Sequence, residues 1–102
     1  MTDLDPATVQ ALEAAAFRRL RDHLQSRPDV QNIDMMNLAG FCRNCLGRWM
    51  YEAAVEQGVP LGKEEARTLF YGMPYDDWKA LHQTSASESQ KATFTEAIKA
   101  HQ

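Results

Sequence analysis

Residues 29–49, DVQNIDMMNLAGFCRNCLGRW, form the stretch around which the rest of the chain is arranged. Asp and Asn side chains near its start are good helix caps, so we expect a short helix over about 30–39. Gly40 then provides a bend or a point of close packing, and a longer helix runs from Phe41 to Gln57. Gly58 is suited to end that helix.

Both cysteines of the chain lie in this stretch, as the C-x-x-C pair Cys42 and Cys45. On a helix, positions i and i+3 face the same way, so the two sulfurs are expected to lie together. Three interpretations stay open: small hydrophobic residues in the core, two ligands of one metal, or a redox dithiol. Arg43 and the nearby helix start would favour a lowered thiol pKa.

A metal site at this pair needs further ligands, since a second C-x-x-C is missing from the sequence. His23 is expected on the core face of the first helix and is the first candidate, followed by His82 beside Trp78. Two thiolates with one or two imidazoles predict zinc, with iron second. A lone core histidine is more often a hydrogen-bonded structural residue.

Polar side chains surround the cysteines, and buried amides need hydrogen-bond partners. They predict either a polar pocket for a small ligand or a set of helix caps and interhelical hydrogen bonds. Asp34 could serve as a cap, as a carboxylate beside His23, or as a metal ligand. The amides expected around the cysteines are Gln31, Asn32, Asn37 and Asn44, and Asp34 and Arg43 are expected beside the same pocket.

The first helix is predicted from the cap Asp5 and Pro6 to about Ser26, before Arg27-Pro28. At 100° per residue, one face of this helix is apolar and is expected to pack on the core. That face consists of Val9, Leu12, Ala16, Leu20 and Leu24, with Phe17 at its edge.

Three further helices are predicted toward the C-terminus. One runs from Gly62 to Gly72, and a short one follows Pro74. The last covers about 86–100, with Ser85 and Glu88 as a capping box. Because this last helix is weakly apolar, it is either loosely docked or an arm that binds a partner.

An aromatic turn, YGMPYDDW, occupies residues 71–78. Such clusters usually close a core or a dimer interface, and less often line a ligand pocket. The aromatic residues assigned here to core or interface are Tyr71, Tyr75 and Trp78, together with Trp49 from the central stretch.

Composition excludes several classes. The net charge is −3, and the one dense basic cluster, Arg18, Arg19 and Arg21, is diluted by acids, so no nucleic acid partner is expected. No segment reaches the roughly 20 apolar residues of a membrane span. The first residues, MTDLDP, lack the pattern of a secretion signal. A cytoplasmic protein with reduced cysteines and no membrane partner is therefore expected.

Several blocks of the sequence carry a resemblance to a known family. They are FRRL (17–20) with His23-Leu24, the stretch 29–49, and YGMPYDDWKA (71–80) with His82-Gln83. With these blocks the chain resembles, over roughly residues 17–83, a short bacterial family catalogued as domain of unknown function twelve forty-four. The resemblance implies a compact helical protein of this length from a Gram-negative bacterium, and it supplies no catalytic residues.

Together these patterns predict an all-α protein: one domain over residues 1–102, a compact array of about five helices. The favoured function is a binding or interaction module that self-associates, as a dimer, and carries a Cys/His metal site. One alternative is a small metal- or thiol-dependent enzyme that uses the C-x-x-C pair; no G-x-S-x-G, P-loop or H-E-x-x-H motif supports an enzyme. Another alternative is a structural accessory subunit that docks a protein partner.

Overall fold

The computed structural model describes residues 3–101, and the side chains of residues 3–98. Within those residues the chain is all-helical, without a strand, as predicted. It forms six helices, against the predicted number of about five, and the central stretch is divided into two helices as expected. The helices are α1 Pro6–Gln25, α2 Asn32–Ala39, α3 Arg43–Gln57, α4 Lys63–Tyr71, α5 Tyr75–His82 and α6 Glu88–His101.

The division of the central stretch occurs at Gly40, which has a φ of 79°. This left-handed conformation costs an L side chain free energy but not a glycine. The N–H of Gly40 donates to the carbonyl of Met36 at 2.9 Å, and α2 ends there. Because Cys42 is extended and forms the N-cap, α3 starts at Arg43, two residues later than predicted. The cysteine pair thus lies in the first turn of a helix.

Helix α1 begins as predicted, because Asp5 accepts a hydrogen bond from the N–H of Thr8 at 2.7 Å. Its predicted inner face holds only toward the C-terminal end, where Leu24 packs against the core; it is wrong for the N-terminal half, where Leu12 is 56% exposed. The side that meets the rest of the molecule is rotated toward Phe17, whose ring lies 5.8 Å from that of Phe70. Gln25 adds a hydrogen bond from Nε2 to the carbonyl of Phe70 at 2.8 Å.

Helices α3 and α4 form the tightest pair of the fold. A Cβ atom placed on Gly47 would lie only 3.2 Å from the Cα of Arg67, so the two backbones approach closely there. Ala66 and Phe70 on the facing side of α4 are almost fully buried. Burying side chains of this kind is the main source of stability in a small domain. This pair gives the first turn of α3 a rigid base.

Helix α6 covers α2. Phe94 and Ala97 pack against the core that contains Met35 and Met36. The predicted capping box of Ser85 and Glu88 is wrong, because α6 begins at Glu88 and uses Ser87 and Gln90 instead. The N–H of Gln90 donates to Ser87 Oγ at 3.1 Å, and the N–H of Ser87 donates to Gln90 Oε1 at 2.7 Å.

The molecule is elongated. Its radius of gyration is 15.6 Å, whereas a domain of this length is expected at about 13 Å. The projecting part is the N-terminal half of α1, since every residue from 3 to 16 is exposed. Among helices of the described range, none has the length and apolar character to cross a membrane.

Candidate functional site

A buried arginine lies at the centre of the molecule. Arg43 is 2% exposed, yet no carboxylate pairs with it in the described part of the chain. Its guanidinium instead donates to the carbonyls of Val30 and Arg27, both at 2.7 Å. It also donates to Asn32 Oδ1 at 2.9 Å and lies 5.0 Å from the centre of the Trp78 ring. Burial lowers the pKa of Arg43, although a guanidinium stays charged in proteins.

The partners of Arg43 explain what it does for the fold. They belong to the end of α1 and to the connection into α2, where carbonyls carry partial negative charge. The carbonyls of Leu24 and Arg27 each accept one backbone N–H as well, whereas the carbonyl of Val30 accepts from Arg43. A guanidinium can satisfy several of them at once because its donors form a planar fork. Arg43 therefore joins the α1–α2 connection to the start of α3. This role was not predicted, since the acceptors lie 11 to 19 residues away in sequence.

Tyr71 extends this polar centre. Its hydroxyl accepts a hydrogen bond from Asn32 Nδ2 at 3.0 Å and donates to Asn44 Oδ1 at 2.7 Å. Burial raises the pKa of Tyr71 well above its ordinary value, so the phenol remains neutral. Asn32 thus contacts both Arg43 and Tyr71, and these side chains form one connected network.

The two cysteines lie beside this network. Cys42 and Cys45 are 8% and 5% exposed and belong to a core with Met35 and Met36. Both are free thiols. Burial raises the pKa of Cys42, and the N–H groups of Cys45 and Asn44 offset only part of that rise. The predicted lowering of a thiol pKa by Arg43 and the helix start is therefore wrong for Cys42.

The two histidines predicted as metal ligands have different surroundings. His23 is exposed on α1, so its expected position on the core face is wrong, whereas its neighbour Leu24 packs against the core. His82 is half-buried, with its ring centre 5.3 Å from that of Trp78. Within residues 3–98, no group of three or more His, Cys, Asp and Glu side chains is arranged to hold a metal. A zinc or iron site at Cys42, Cys45, His23 and His82 stays a prediction.

Two polar residues predicted near the pocket bind α6 instead. Asp34 Oδ1 accepts a hydrogen bond from Gln90 Nε2 at 2.8 Å. Asn37 Nδ2 donates to the carbonyl of Gln90 at 3.2 Å. The Oδ1 atom of Asn37 is buried without a partner among the described residues. These contacts fix α6 against α2 and thereby close one side of the pocket described next.

A cavity of about 340 Å³ opens between the first turn of α3, α2 and the segment that joins α5 to α6. The predicted residues Asn44 and Cys42 line it. The linker between α5 and α6 and the aromatic Phe94 also line it, and neither was predicted to do so. The full lining is Gln31, Asn32, Ile33, Met36, Cys42, Asn44, Tyr75, Gln83, Thr84, Ser85, Ala86 and Phe94.

The lining combines fixed amides with an apolar wall, and none of its side chains is charged. Both ends of the Gln31 amide are hydrogen-bonded. Its Nε2 donates to the carbonyl of His82 at 2.8 Å, and its Oε1 accepts from the N–H of Thr84 at 3.0 Å. Asn32 is occupied by Arg43 and Tyr71. Asn44 differs, because only its Oδ1 is engaged by a described residue, which leaves its N–H groups for another acceptor. The wall opposite consists of Ile33, Met36 and Phe94.

The four predicted aromatic residues divide into two groups. Tyr71 and Trp78 are 4% and 3% exposed and belong to the core. Tyr75 is half-buried, and the Arg67 guanidinium lies 4.3 Å from the centre of its ring. Trp49 is 42% exposed and borders an open apolar groove with Phe17, Leu46 and Met50.

Comparison with known proteins gives one family. A search of curated proteins finds no match. The sequence model of a family described as "Protein of unknown function (DUF1244)" matches residues 30–96. That range starts later than the resemblance over 17–83 and extends into α6, so it includes the polar centre and the cavity but not α1. Since the match covers more than half of the chain, the chain belongs to this DUF1244 family.

Proposed function

We propose that this protein is a binding module whose cavity beside Cys42 takes a small uncharged molecule. The observation that carries the proposal is a cavity of about 340 Å³ whose lining includes no charged side chain. Its volume falls in the range of about 300–1,000 Å³ that is usual for ligand sites in proteins. The ligand would place an apolar group against Phe94 and a hydrogen-bonding edge toward Asn44.

The polar side of the cavity supports this choice because it is held in position before a ligand arrives. Tyr71 donates to Asn44 Oδ1 at 2.7 Å and so orients the N–H groups of that amide. Gln31 holds the linker through the N–H of Thr84 at 3.0 Å. Binding to groups that are already ordered loses less conformational entropy than binding to mobile ones.

The electrostatics of the site favour an uncharged ligand. The one buried charge nearby, on Arg43, is already surrounded by four acceptors, from Leu24, Arg27, Val30 and Asn32. A charged ligand would lose its hydration in the cavity without gaining an opposite charge, which is costly. Burial also raises the pKa of Cys42, so that thiol contributes a neutral contact rather than a nucleophilic thiolate. These points favour binding over the thiol-dependent enzyme.

Three probes that share one ring test the charge preference: benzamide, benzoate and benzamidinium. Chemical shifts of the backbone N–H groups of residues 42–44 and 84–86 would be followed by NMR during titration. We expect benzamide to produce saturable shifts there, and the two ions to bind at least tenfold more weakly because their charges are not matched. Equal binding of all three probes would contradict a neutral site.

A cavity-filling variant and a matched control localise the binding. Ala86→Phe adds a ring at the lining of the cavity, whereas Ala53→Phe adds the same ring at an exposed position of α3. The benzamide shifts should disappear in the first variant and persist in the second. Shifts that survive in Ala86→Phe would show that the probe binds elsewhere, and the proposed function would fail.

We propose the cytoplasm as the location of this binding module. The support is that Cys42 and Cys45, neighbours in the first turn of α3, are both free thiols. Neighbouring thiols persist in a reducing compartment, whereas secreted domains usually use their cysteines for disulfides.

A further inference from the structure

The N-terminal half of α1 carries apolar side chains that nothing in the described chain covers. Every residue from 3 to 16 is exposed. Leu4 is 50% exposed, Val9 37% and Leu12 56%, and Leu20 farther along the helix is 36% exposed. Val9, Leu12 and Leu20 lie within one 80° sector of the helix at 100° per residue. This sector, with Leu4 preceding it, is called the α1 stripe below.

The α1 stripe is unusual for the outside of a monomer. Helices in proteins gain most of their stability from packing an apolar face, and a short helix without such packing is marginal in water. Every residue from 3 to 16 is exposed, and the radius of gyration of 15.6 Å, against about 13 Å expected for this length, agrees with a projecting segment. Both facts are accounted for if a partner covers the stripe.

We propose that the partner is a second copy of this chain, with the two α1 helices paired antiparallel through their stripes. The charges along this segment are divided by position. Residues 3–13 contain three acidic residues, two of them before α1, and no lysine or arginine, whereas residues 18–22 contain three arginines and Asp22, which pairs with Arg21 at 3.1 Å. Antiparallel pairing brings the acidic half of one helix beside the basic half of the other. A parallel pair would bring like charges together.

The spacing of the stripe is consistent with this arrangement. Leu4 and Leu20 lie eight residues on either side of Leu12, and Asp5 and Arg19 lie seven residues on either side. A twofold axis at Leu12 therefore brings the segment before α1 of one copy, which contains Leu4, toward Leu20 of the other. It also brings Asp5 level with Arg19. Ala15 and Ala16 add little bulk near the crossing, so the helices can approach closely.

Sedimentation equilibrium of the full chain tests the proposal. At about 100 µM, we expect a mass of twice the 11.6 kDa of one chain, falling toward one chain on dilution. A mass of one chain at every concentration would overturn the proposal and leave the α1 stripe for a different protein.

Variants decide whether the stripe forms the contact. Leu12→Glu puts a charge at the centre of the pair and should weaken the dimer at least tenfold. Because Leu12 is 56% exposed in the single chain, helix content measured by circular dichroism should not change. Leu81→Glu is the matched control. Leu81 is 69% exposed on α5, outside the α1 stripe, so this substitution should leave the dimer intact. A dimer that survives Leu12→Glu would overturn the proposal.

The direction of pairing is tested by Arg19→Gln, which removes a positive charge at the edge of the stripe. Antiparallel pairing predicts a dissociation constant about two- to fivefold higher, because an attraction to the acidic half is lost. Parallel pairing predicts tighter association, because two neighbouring arginines no longer repel each other. Tighter association would overturn the antiparallel arrangement.

Discussion

The centre of the molecule buries a charged side chain, whereas the N-terminal half of α1 exposes apolar ones. At the centre, a charged residue, Arg43, is 2% exposed, whereas on α1 the apolar Leu12 is 56% exposed. The two regions differ in whether the same chain provides contacts for these side chains. Arg43 has four acceptors within the chain, and the α1 stripe has no cover among the described residues. Burial here follows from available partners, so residue type alone does not predict it.

The two regions should therefore contribute differently to stability and to association. Side chains at the centre should matter for folding of the single chain, and those of the stripe should matter for its interactions. Matched pairs of substitutions can separate the two regions.

The largest effect is expected at Arg43. Arg43→Met would leave the carbonyl of Val30 and Asn32 Oδ1 without a donor and the carbonyl of Arg27 with only the Val30 N–H, and should lower the free energy of unfolding by about 3–5 kcal/mol. Urea unfolding followed by circular dichroism measures it. Arg48→Met on the same helix is the control. Arg48 is exposed, and its ion pair with Glu52 is a long surface contact of 3.9 Å. A change of less than about 1 kcal/mol in Arg43→Met would contradict the central role of this residue.

Removal of the Tyr71 hydroxyl should have the next largest effect. Tyr71→Phe leaves Asn32 Nδ2 and Asn44 Oδ1 without partners, and a loss of about 1–3 kcal/mol in the free energy of unfolding is expected. Tyr75→Phe is the matched control, since its hydroxyl is exposed and makes one long hydrogen bond of 3.4 Å to Gln83. If both variants lose the same free energy of unfolding, the loss in Tyr71→Phe does not come from the buried hydrogen-bond network.

Tyr71 also predicts how stability depends on pH. Its pKa is raised in the folded protein above the ordinary value of 10.0, so the folded state holds this proton more tightly than the unfolded state. The stability that this proton contributes is complete below about pH 10 and is lost as the pH rises above it. The wild type should therefore lose more stability than Tyr71→Phe between about pH 9 and pH 11 in urea unfolding series. Parallel pH profiles would contradict the buried phenol.

Within α1, two apolar side chains distinguish the half that touches the body from the half that projects. Phe17 contacts the ring of Phe70 at 5.8 Å, and Phe17→Ala should cost about 1–2 kcal/mol in the free energy of unfolding. Val9 is 37% exposed, and α1 contains no buried residue. Val9→Ala should therefore cost less than about 0.5 kcal/mol in the free energy of unfolding in dilute protein. Equal losses would mean that the whole helix packs on the body.

The last prediction concerns the reactivity of the two thiols. Because both are buried, they should react slowly with a thiol reagent in the folded protein. With Cys42 and Cys45 at 8% and 5% exposure, reaction with a thiol reagent at neutral pH should be on the order of a hundredfold slower in native than in urea-unfolded protein. Rapid labelling of the native protein would instead support an accessible reactive cysteine.

Features with local causes were predictable from the sequence. The cap at Asp5 and the helix ends at Gly58 and Gly72 follow from single residues with strong conformational preferences, and the structure confirms them. The core positions of Tyr71 and Trp78 follow from a dense aromatic turn.

Features that depend on distant residues were not predictable. The acceptors of Arg43 lie on the end of α1 and its connection to α2, and nothing next to Arg43 in sequence indicates them. Periodicity identified the α1 stripe, but it cannot say whether the same chain covers that face. The lining of the cavity combines α2, α3 and a linker that is polar in sequence except for Ala86. Each of these failures comes from a contact between segments.

Hydrogen exchange of the backbone amides, measured at several protein concentrations, tests the contrast between the two regions most directly. We predict that amides of residues 46–54 in α3 are protected equally from about 1 µM to about 500 µM, since their packing lies within one chain. Amides of residues 9–16 in α1 should exchange rapidly at the low concentration and become protected at the high one, as the α1 stripes pair. Protection of α1 that is the same at every concentration would contradict this contrast.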